Sequence, residues 1–199
     1  MTTETFAEMA RRHRDSDMLA AGNFNMVNGQ ACSVGCFCHD LGLESDDFAG
    51  LADATGYPEA AHRLQEAIFE GLPEAERADF HVAFADKAAT VTDWQPVIDK
   101  TVLASLRIAE PHDTSDAKVV AGAISLYERR LNGDEPTKAE WAAARDAAEA
   151  AEEAARDAEA AEEAARAAWA ARVACAAAGA AWAAAGAAWV KIRDAFLSA

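Results

Sequence analysis

The sequence predicts an all-α protein with an N-terminal helical domain, residues 1–133, followed by a long alanine-rich helix or helical hairpin, residues 134–199. Three observations support this fold class. Apolar residues recur at three- and four-residue spacing, helix start and stop signals separate the segments, and the last third of the chain is largely alanine. At 199 residues, the chain is long enough for one well-buried core, or for a core with an extension.

The first helices are separated by turn-forming residues. Residues 3–20 place apolar side chains at helical spacing, and Gly22 ends that pattern. Residues 23–35 are rich in Asn and Gly, which favours turns and a short extended pair. Ser45 then predicts a helix start, because its hydroxyl can cap the first turn and the two aspartates after it complement the positive end of the helix dipole.

Four more helices are expected before the alanine-rich part. Proline suits the first position of a helix, where its missing N–H is not needed, and two of the four begin at proline. Each segment repeats apolar residues every three or four positions, and a glycine or an asparagine ends the first and the last. The predicted helices span residues 58–70, 73–84, 93–109 and 115–131.

The alanine-rich arm, residues 134–199, carries strong helix signals. Thr137 and Glu140 form a predicted capping box at its start. The octapeptide Glu-Ala-Ala-Glu-Glu-Ala-Ala-Arg occurs at 149–156 and at 159–166, and its glutamate and arginine four residues apart support an exposed helix face. A stripe of alanines lets two helix backbones approach closely. We therefore expect either one long helix that pairs with a second copy of the chain, or a hairpin that folds back near Gly179.

The chain is strongly acidic. It holds 18 basic and 34 acidic residues, a formal net charge of −16, and residues 1–136 carry most of it, with 11 Lys and Arg against 24 Asp and Glu. Such a surface repels nucleic-acid phosphates, so we expect no nucleic-acid binding, and it favours a basic protein partner. One acidic stretch is either a solvated face or the docking surface for that partner: Asp40, Glu44, Asp46, Asp47 and Asp53.

The sequence indicates a cytoplasmic protein. The N-terminal residues show no basic segment followed by an apolar one, so we expect no secretory signal and reduced cysteines. Residues 173–190 form an uncharged run close to the minimum length of a membrane span. The run is mostly alanine and glycine, which bury little apolar area, so we favour packing between helices and expect no membrane span.

The densest cluster of reactive side chains lies at residues 32–39, Cys-Ser-Val-Gly-Cys-Phe-Cys-His. In a helix, Cys32, Cys36 and His39 fall on one face, four and three residues apart. Two thiols and an imidazole suit zinc, so these three residues are candidate metal ligands. A fourth ligand would come from one of several other residues: Cys38, His62, His81 or His112.

Two other interpretations of this cluster stay open. Small thiols can fill a tight helix crossing, which is a purely structural role. Alternatively, Cys36 or Cys32 is a nucleophilic or redox thiol whose pKa is lowered by His39, which makes Cys36 and His39 candidate catalytic residues. Glu66 and Glu70 lie one helical turn apart and would add carboxylates to a site near the cysteines.

Three segments of the chain form a distinctive pattern: Gly-Gln-Ala-Cys-Ser-Val-Gly-Cys-x-x-His at 29–39, Arg-Leu-x-x-x-Ile-Phe-Glu-Gly-Leu-Pro at 63–73, and Leu-Tyr-Glu-Arg-Arg-Leu-x-Gly-Asp-Glu-Pro-Thr at 126–137. In this order they resemble a set of uncharacterised bacterial and phage proteins that also end in a long alanine-rich helical tail. The tail alone is similar to alanine-rich immunity proteins. The resemblance implies this architecture and a site at Cys32, Cys36 and His39, and it implies no mechanism.

Three functions are compatible with these patterns. The first is an acidic protein-binding or inhibitor protein of bacterial or phage conflict, either an immunity or an anti-defence factor, in which the arm is a scaffold or an oligomerisation element. The second is a small metal- or thiol-dependent enzyme or ligand-binding protein centred on Cys32, Cys36 and His39. The third is a structural coiled-coil spacer. Because the sequence contains no complete catalytic motif, we favour the first.

Overall fold

A computed structural model of the protein describes residues 4–113, 118–157 and 186–199. The expected all-α fold is confirmed, since the described residues form helices and no strand. The α-helices are α1 (Phe6–Asp15), α2 (Ser33–Leu41), α3 (Phe48–Thr55), α4 (Glu59–Gly71), α5 (Glu74–Ala88), α6 (Trp94–Ala109), α7 (Val119–Leu131), α8 (Lys138–Asp157) and α9 (Gly186–Ser198), and a short 3₁₀ helix (Glu110–His112) follows α6.

Side-chain caps fix where α2 and α3 begin, and the start of α3 differs from the sequence-based expectation. Cys32 caps α2 from outside the helix, with its sulfur accepting a hydrogen bond from the Gly35 N–H at 3.4 Å. Asp47 caps α3, because its carboxylate accepts the Gly50 N–H at 2.8 Å. The expected helix start at Ser45 is therefore wrong.

The largest core lies between α4, α5, α6 and α9. From α9, the side chains of Trp189 and Phe196 are buried in it, and the Phe196 ring stacks on Phe84 with 5.2 Å between ring centroids. At the end of α4, Gly71 lies against the Trp189 indole so closely that a Cβ there would overlap the ring. The last helix of the chain thus closes the core built by the N-terminal helices.

A second core joins α6, α7 and α8. Tyr127 is buried and meets Trp141 edge-on, with 4.9 Å between ring centroids. The Arg130 guanidinium forms two hydrogen bonds to the buried carboxylate of Asp99 and lies 4.8 Å from the centroid of the Trp141 ring. Charge pairing and aromatic stacking at one arginine therefore fix how these three helices meet.

The alanine-rich arm is described only at its two ends, by α8 and α9. Residues 158–185 lie outside the described residues, so the expected long helix or hairpin and its pairing with a second copy stay predictions. Most of the uncharged run at 173–190 falls on the same segment. Within the described ranges, no helix is both long enough and apolar enough to cross a membrane.

The N-terminal helices pack against the first helices of the larger core, α1 on α5 and both α2 and α3 on α4. Between α1 and α2 the chain makes two isolated β-bridges, so the extended pairing expected within residues 23–35 forms no strand. This loop crosses the start of α2. A Cβ at Gly35 would overlap the backbone carbonyl of Phe24, and glycine at this position permits the close approach.

Candidate ligand-binding site

The Cys/His cluster of residues 32–39 is divided between the core and the surface. Cys32 and Cys36 are fully buried, and the Cys36 thiol donates to the Met18 carbonyl at 3.3 Å. His39 is exposed in the last turn of α2. In the part of the chain that the structure describes, the three expected metal ligands do not come together as one close group.

The buried thiols are poorly suited to nucleophilic chemistry. Burial raises the pKa of Cys36 to about 12 and the pKa of Cys38 to about 11. Burial and the nearby Glu66 carboxylate raise the pKa of Cys32 as well. These thiols therefore stay protonated near neutral pH. Because the thiolate is the reactive form, they are weak nucleophiles. Cys38 packs in an apolar cluster with Phe37, which is the structural role that the sequence left open.

Cys32 belongs to a different group, formed with two glutamates of α4. Its sulfur and one carboxylate oxygen each of Glu66 and Glu70 all lie within 4.8 Å of one another. Among the described residues, this is the one set of three His, Cys, Asp or Glu side chains gathered this closely. The one-turn spacing of the two glutamates predicts their common face. The packing of α2 on α4, which brings Cys32 to that face, has no signal in the sequence.

Glu66 holds an oxygen without a hydrogen-bond partner. The residue is 4% exposed, and its Oε2 accepts a hydrogen bond from the Val34 N–H at 3.0 Å. Its Oε1 is the one buried side-chain polar atom in the described part of the chain that has no such partner. Glu70, in contrast, is only half-buried, and both of its oxygens lie 2.9 Å from the Gly22 N–H. Because buried polar atoms nearly always have a partner, the free oxygen of Glu66 indicates a binding position.

Burial also changes the ionisation of Glu66. It raises the pKa of this carboxyl to about 7, and the neighbouring charge of Glu70 adds to the effect, while the contacts with Cys32 and Val34 oppose it. Both causes disfavour the charged form, so the carboxyl is in part protonated at neutral pH. A cation bound at Oε1 would reverse this balance and favour the carboxylate.

The two glutamates line a cleft of about 320 Å³, at the small end of the range for ligand sites. Its lining residues are Gly22, Phe24, Phe48, Arg63, Glu66, Ala67 and Glu70. The Arg63 guanidinium stacks over the Phe48 ring at 4.4 Å and pairs with Glu59 at 2.6 Å. The positive charge that lines the cleft is therefore already engaged, which leaves two carboxyl groups among the lining side chains.

A chain of buried polar side chains runs behind this site. His13 Nε2 lies 2.6 Å from Asp40 Oδ2, His13 Nδ1 lies 3.0 Å from His81 Nε2, and His81 Nδ1 lies 2.8 Å from Ser33 Oγ. A carboxylate can only accept, so His13 donates to Asp40, His81 donates to His13, and Ser33 donates to His81. Gln65 in turn donates to Ser33 at 2.6 Å.

The series of hydrogen-bonded side chains continues through α4, where His62 Nδ1 lies 3.2 Å from Gln65 Oε1 and His62 Nε2 lies 2.9 Å from Thr55 Oγ1. Burial lowers the pKa of His62 to about 4 and holds the pKa of His81 well below its usual value. Both imidazoles are therefore neutral at pH 7, which for His81 agrees with the direction of its hydrogen bonds to His13 and Ser33. This network has no signal in the sequence, because its members come from five separate segments.

The remaining predicted residues are scattered. Of the acidic stretch, Asp40 pairs with Arg12 at 2.5 Å and bonds to His13, and Asp47 caps α3. The other three side chains are exposed to solvent: Glu44, Asp46 and Asp53. Of the expected fourth ligands, His62 and His81 belong to the buried chain and His112 is exposed in the 3₁₀ helix.

No protein-family model, curated protein or solved structure matches this chain. The cleft at Glu66 is the position where the described residues combine a cavity, two carboxyl groups and an unpaired buried oxygen.

Proposed function

We propose that the protein binds a small cation in the cleft lined by Glu66 and Glu70. The observation that carries this proposal is the buried Oε1 of Glu66, a residue that lines the cleft, because this oxygen lacks a hydrogen-bond partner. An uncompensated carboxylate in a protein interior costs several kcal/mol, roughly 3–5 when its partner is removed from a buried pair. A cation in the cleft would supply the missing partner.

The surroundings of the cleft favour a positive ligand. The only cationic side chain that lines the cleft in the described structure, Arg63, is stacked on Phe48 and paired with Glu59. The whole chain carries a formal net charge of −16, which raises the local concentration of cations around it. The engaged charge of Arg63 and the negative net charge of the chain therefore both favour a cation in the cleft.

Titration calorimetry with three probe cations tests this function: Zn²⁺, Ca²⁺ and benzylammonium. We expect at least one to bind at one site per chain and to bind much more weakly to the Glu66→Gln variant. Glu44→Gln is the matched control, since it removes the same charge from an exposed position. The absence of binding by all three probes, or an equal loss in both variants, would contradict the proposal.

The pH dependence gives an independent check. The cation binds the ionised form of Glu66, whose pKa lies at about 7 in the free protein. For Ca²⁺ and benzylammonium, which displace no thiol proton, affinity should therefore rise until about pH 7 and level off above it, with a fall of about tenfold per pH unit on the acidic side. The Glu44→Gln control should keep this profile.

The net charge supports a second function, an acidic binding or inhibitor protein of the immunity or anti-defence type with a basic protein partner. Glu44, Asp46 and Asp53 are exposed and available for such a partner. Neutralising the three should weaken binding of a poly-lysine probe more than neutralising three exposed acids elsewhere, and equal losses would leave no specific docking surface. The matched control set is Glu74, Asp79 and Glu149. The cysteines of the described part are free thiols, which suits a cytoplasmic protein.

A further inference from the structure

We infer that the cation is a zinc-like divalent metal ion, held by the sulfur of Cys32 and the carboxylates of Glu66 and Glu70. This inference rests on the proposed cation-binding function and names its ligand. Two independent observations point to it. The three donor atoms lie within 4.8 Å of one another, and Glu66 Oε1, in a residue 4% exposed, has no hydrogen-bond partner.

The donor set discriminates between metals. Calcium and magnesium bind oxygen donors and do not take a thiolate, whereas zinc accepts sulfur and carboxylate oxygen together. Zinc bonds of about 2.0–2.3 Å place tetrahedral donors about 3.5 Å apart. The present separations are within 4.8 Å, so a small rotation of the half-buried Glu70 side chain would complete the contact.

Backbone groups already hold each donor in place. The Gly35 N–H donates to Cys32 Sγ at 3.4 Å at the N-terminus of α2. The Val34 N–H occupies Glu66 Oε2 and leaves Oε1 free for the metal. The Gly22 N–H orients Glu70. Such outer contacts are what position ligands in metal sites.

The proton balance of binding follows from the states of the donors. When Zn²⁺ binds, the S–H bond of Cys32 breaks, a sulfur–zinc bond forms, and the proton passes to the buffer. We expect about one proton to be released per ion bound at pH 8.

Three protein donors leave one position of a tetrahedral ion open, and two of these donors, Glu66 and Glu70, line the cleft. Catalytic and ligand-binding zinc sites keep such an open position, whereas purely structural sites close it with a fourth side chain. Phe24 and Phe48 form the apolar walls of the cleft beyond the donors. The arrangement therefore fits a metal that presents a water molecule or a small organic donor to the cleft.

Cobalt titration of the full chain is the direct test, because a Co²⁺–thiolate bond gives a charge-transfer absorption that carboxylates alone do not. A Cys175→Ser background ensures that any thiolate band comes from the described cysteines. We expect this band in the parent protein, its loss in Cys32→Ser, and its retention in the matched control Cys38→Ser, another buried thiol. A parent protein without the band would overturn the inference, and that result needs no variant to fold.

Zinc affinity provides the second readout. Cys32→Ser, Glu66→Gln and Glu70→Gln should each lower it by about tenfold or more, with Cys38→Ser unchanged. The partly exposed Glu70 makes its variant the one least disturbing to folding. Equal zinc affinity in all variants would place the ion elsewhere and reject the site. A different result would separate the two proposals. If the parent binds benzylammonium or Ca²⁺ but not zinc, and Glu66→Gln loses that binding, the zinc-like ion is rejected while the proposed cation-binding function is preserved.

Discussion

Replacing Glu66 by glutamine should make the protein more stable at alkaline pH. The change keeps the shape of the side chain and an oxygen that can accept the Val34 N–H, which now bonds to Glu66 Oε2 at 3.0 Å. It removes the charge that burial opposes. The new amide N–H₂ would occupy the unpaired Oε1 position in the group that also holds the Glu70 carboxylate and the Cys32 sulfur, both of which accept hydrogen bonds.

The size of the effect follows from the ionisation of Glu66. Its pKa rises from an ordinary 4.5 to about 7 in the folded protein. Each unit is worth about 1.4 kcal/mol, so ionised Glu66 lowers the free energy of unfolding by about 3 kcal/mol at pH 8. We expect Glu66→Gln to recover between about 1 and 3 kcal/mol there, since the amide hydrogen bonds will not be ideal.

Urea denaturation at several pH values measures this difference. A raised folded-state pKa favours the fold below pH 4.5, and this contribution disappears as the pH rises through 7. The stability advantage of Glu66→Gln should therefore be small at pH 5 and reach its full value near pH 8. Glu44→Gln removes an exposed charge and should show no such trend.

Two results would refute the reasoning. Glu66→Gln could be less stable than the parent at pH 8, which would mean that the carboxylate has a stabilising partner in the folded protein. Alternatively, the two proteins could keep a constant difference from pH 5 to pH 8, which would mean that Glu66 ionises normally. Metal must be removed with a chelator beforehand, because a bound cation would itself stabilise the carboxylate.

Three further changes test the packing and the buried histidines by thermal or urea denaturation. Gly71→Ala should destabilise the protein by about 2 kcal/mol, because the new Cβ overlaps the Trp189 indole packed against it. The control Gly122→Ala has open space around its new Cβ and should stabilise the protein by about 0.5–1 kcal/mol. Equal effects of the two substitutions would contradict the packing. Arg130→Lys should cost about 1–2 kcal/mol by losing the forked contact to Asp99, and a neutral result would remove that contact from the argument. Because burial lowers the pKa of His62 to about 4 in the folded protein, the parent protein should lose stability as the pH falls from 6.5 to 4. The His62→Gln variant should lose less stability over the same range.

Helix positions were largely predictable from the sequence because local signals determine them. Apolar periodicity and prolines indicate α4 and α5, whose observed spans begin one residue after Pro58 and Pro73. The start of α3 was misplaced because Ser45 and Asp47 are both good caps, and only the structure shows which one reaches a backbone N–H. Local chemistry thus predicts that a helix exists better than it predicts its first residue.

The site was only half predictable. The spacing of Glu66 and Glu70 places them on one face of a helix, and residues 32–39 stand out by composition. Treating Cys32 as part of a helix paired it with His39, whereas its role as a cap turns it towards α4. That difference depends on how α2 packs on α4, a tertiary contact between segments about thirty residues apart for which one sequence has no local signal.

The N-terminus of α2 explains why the cleft and the histidine chain lie side by side. Ser33, its first residue, joins the histidine chain, while the next backbone N–H, of Val34, holds Glu66. Across from it, Gln65 and Glu66 are neighbours on α4, and each reaches one of these groups. A helix start offers free N–H donors, so acidic and polar side chains from distant segments converge there. The same convergence leaves one Glu66 oxygen without a donor, and this surplus acceptor is the feature on which the proposed cation site depends.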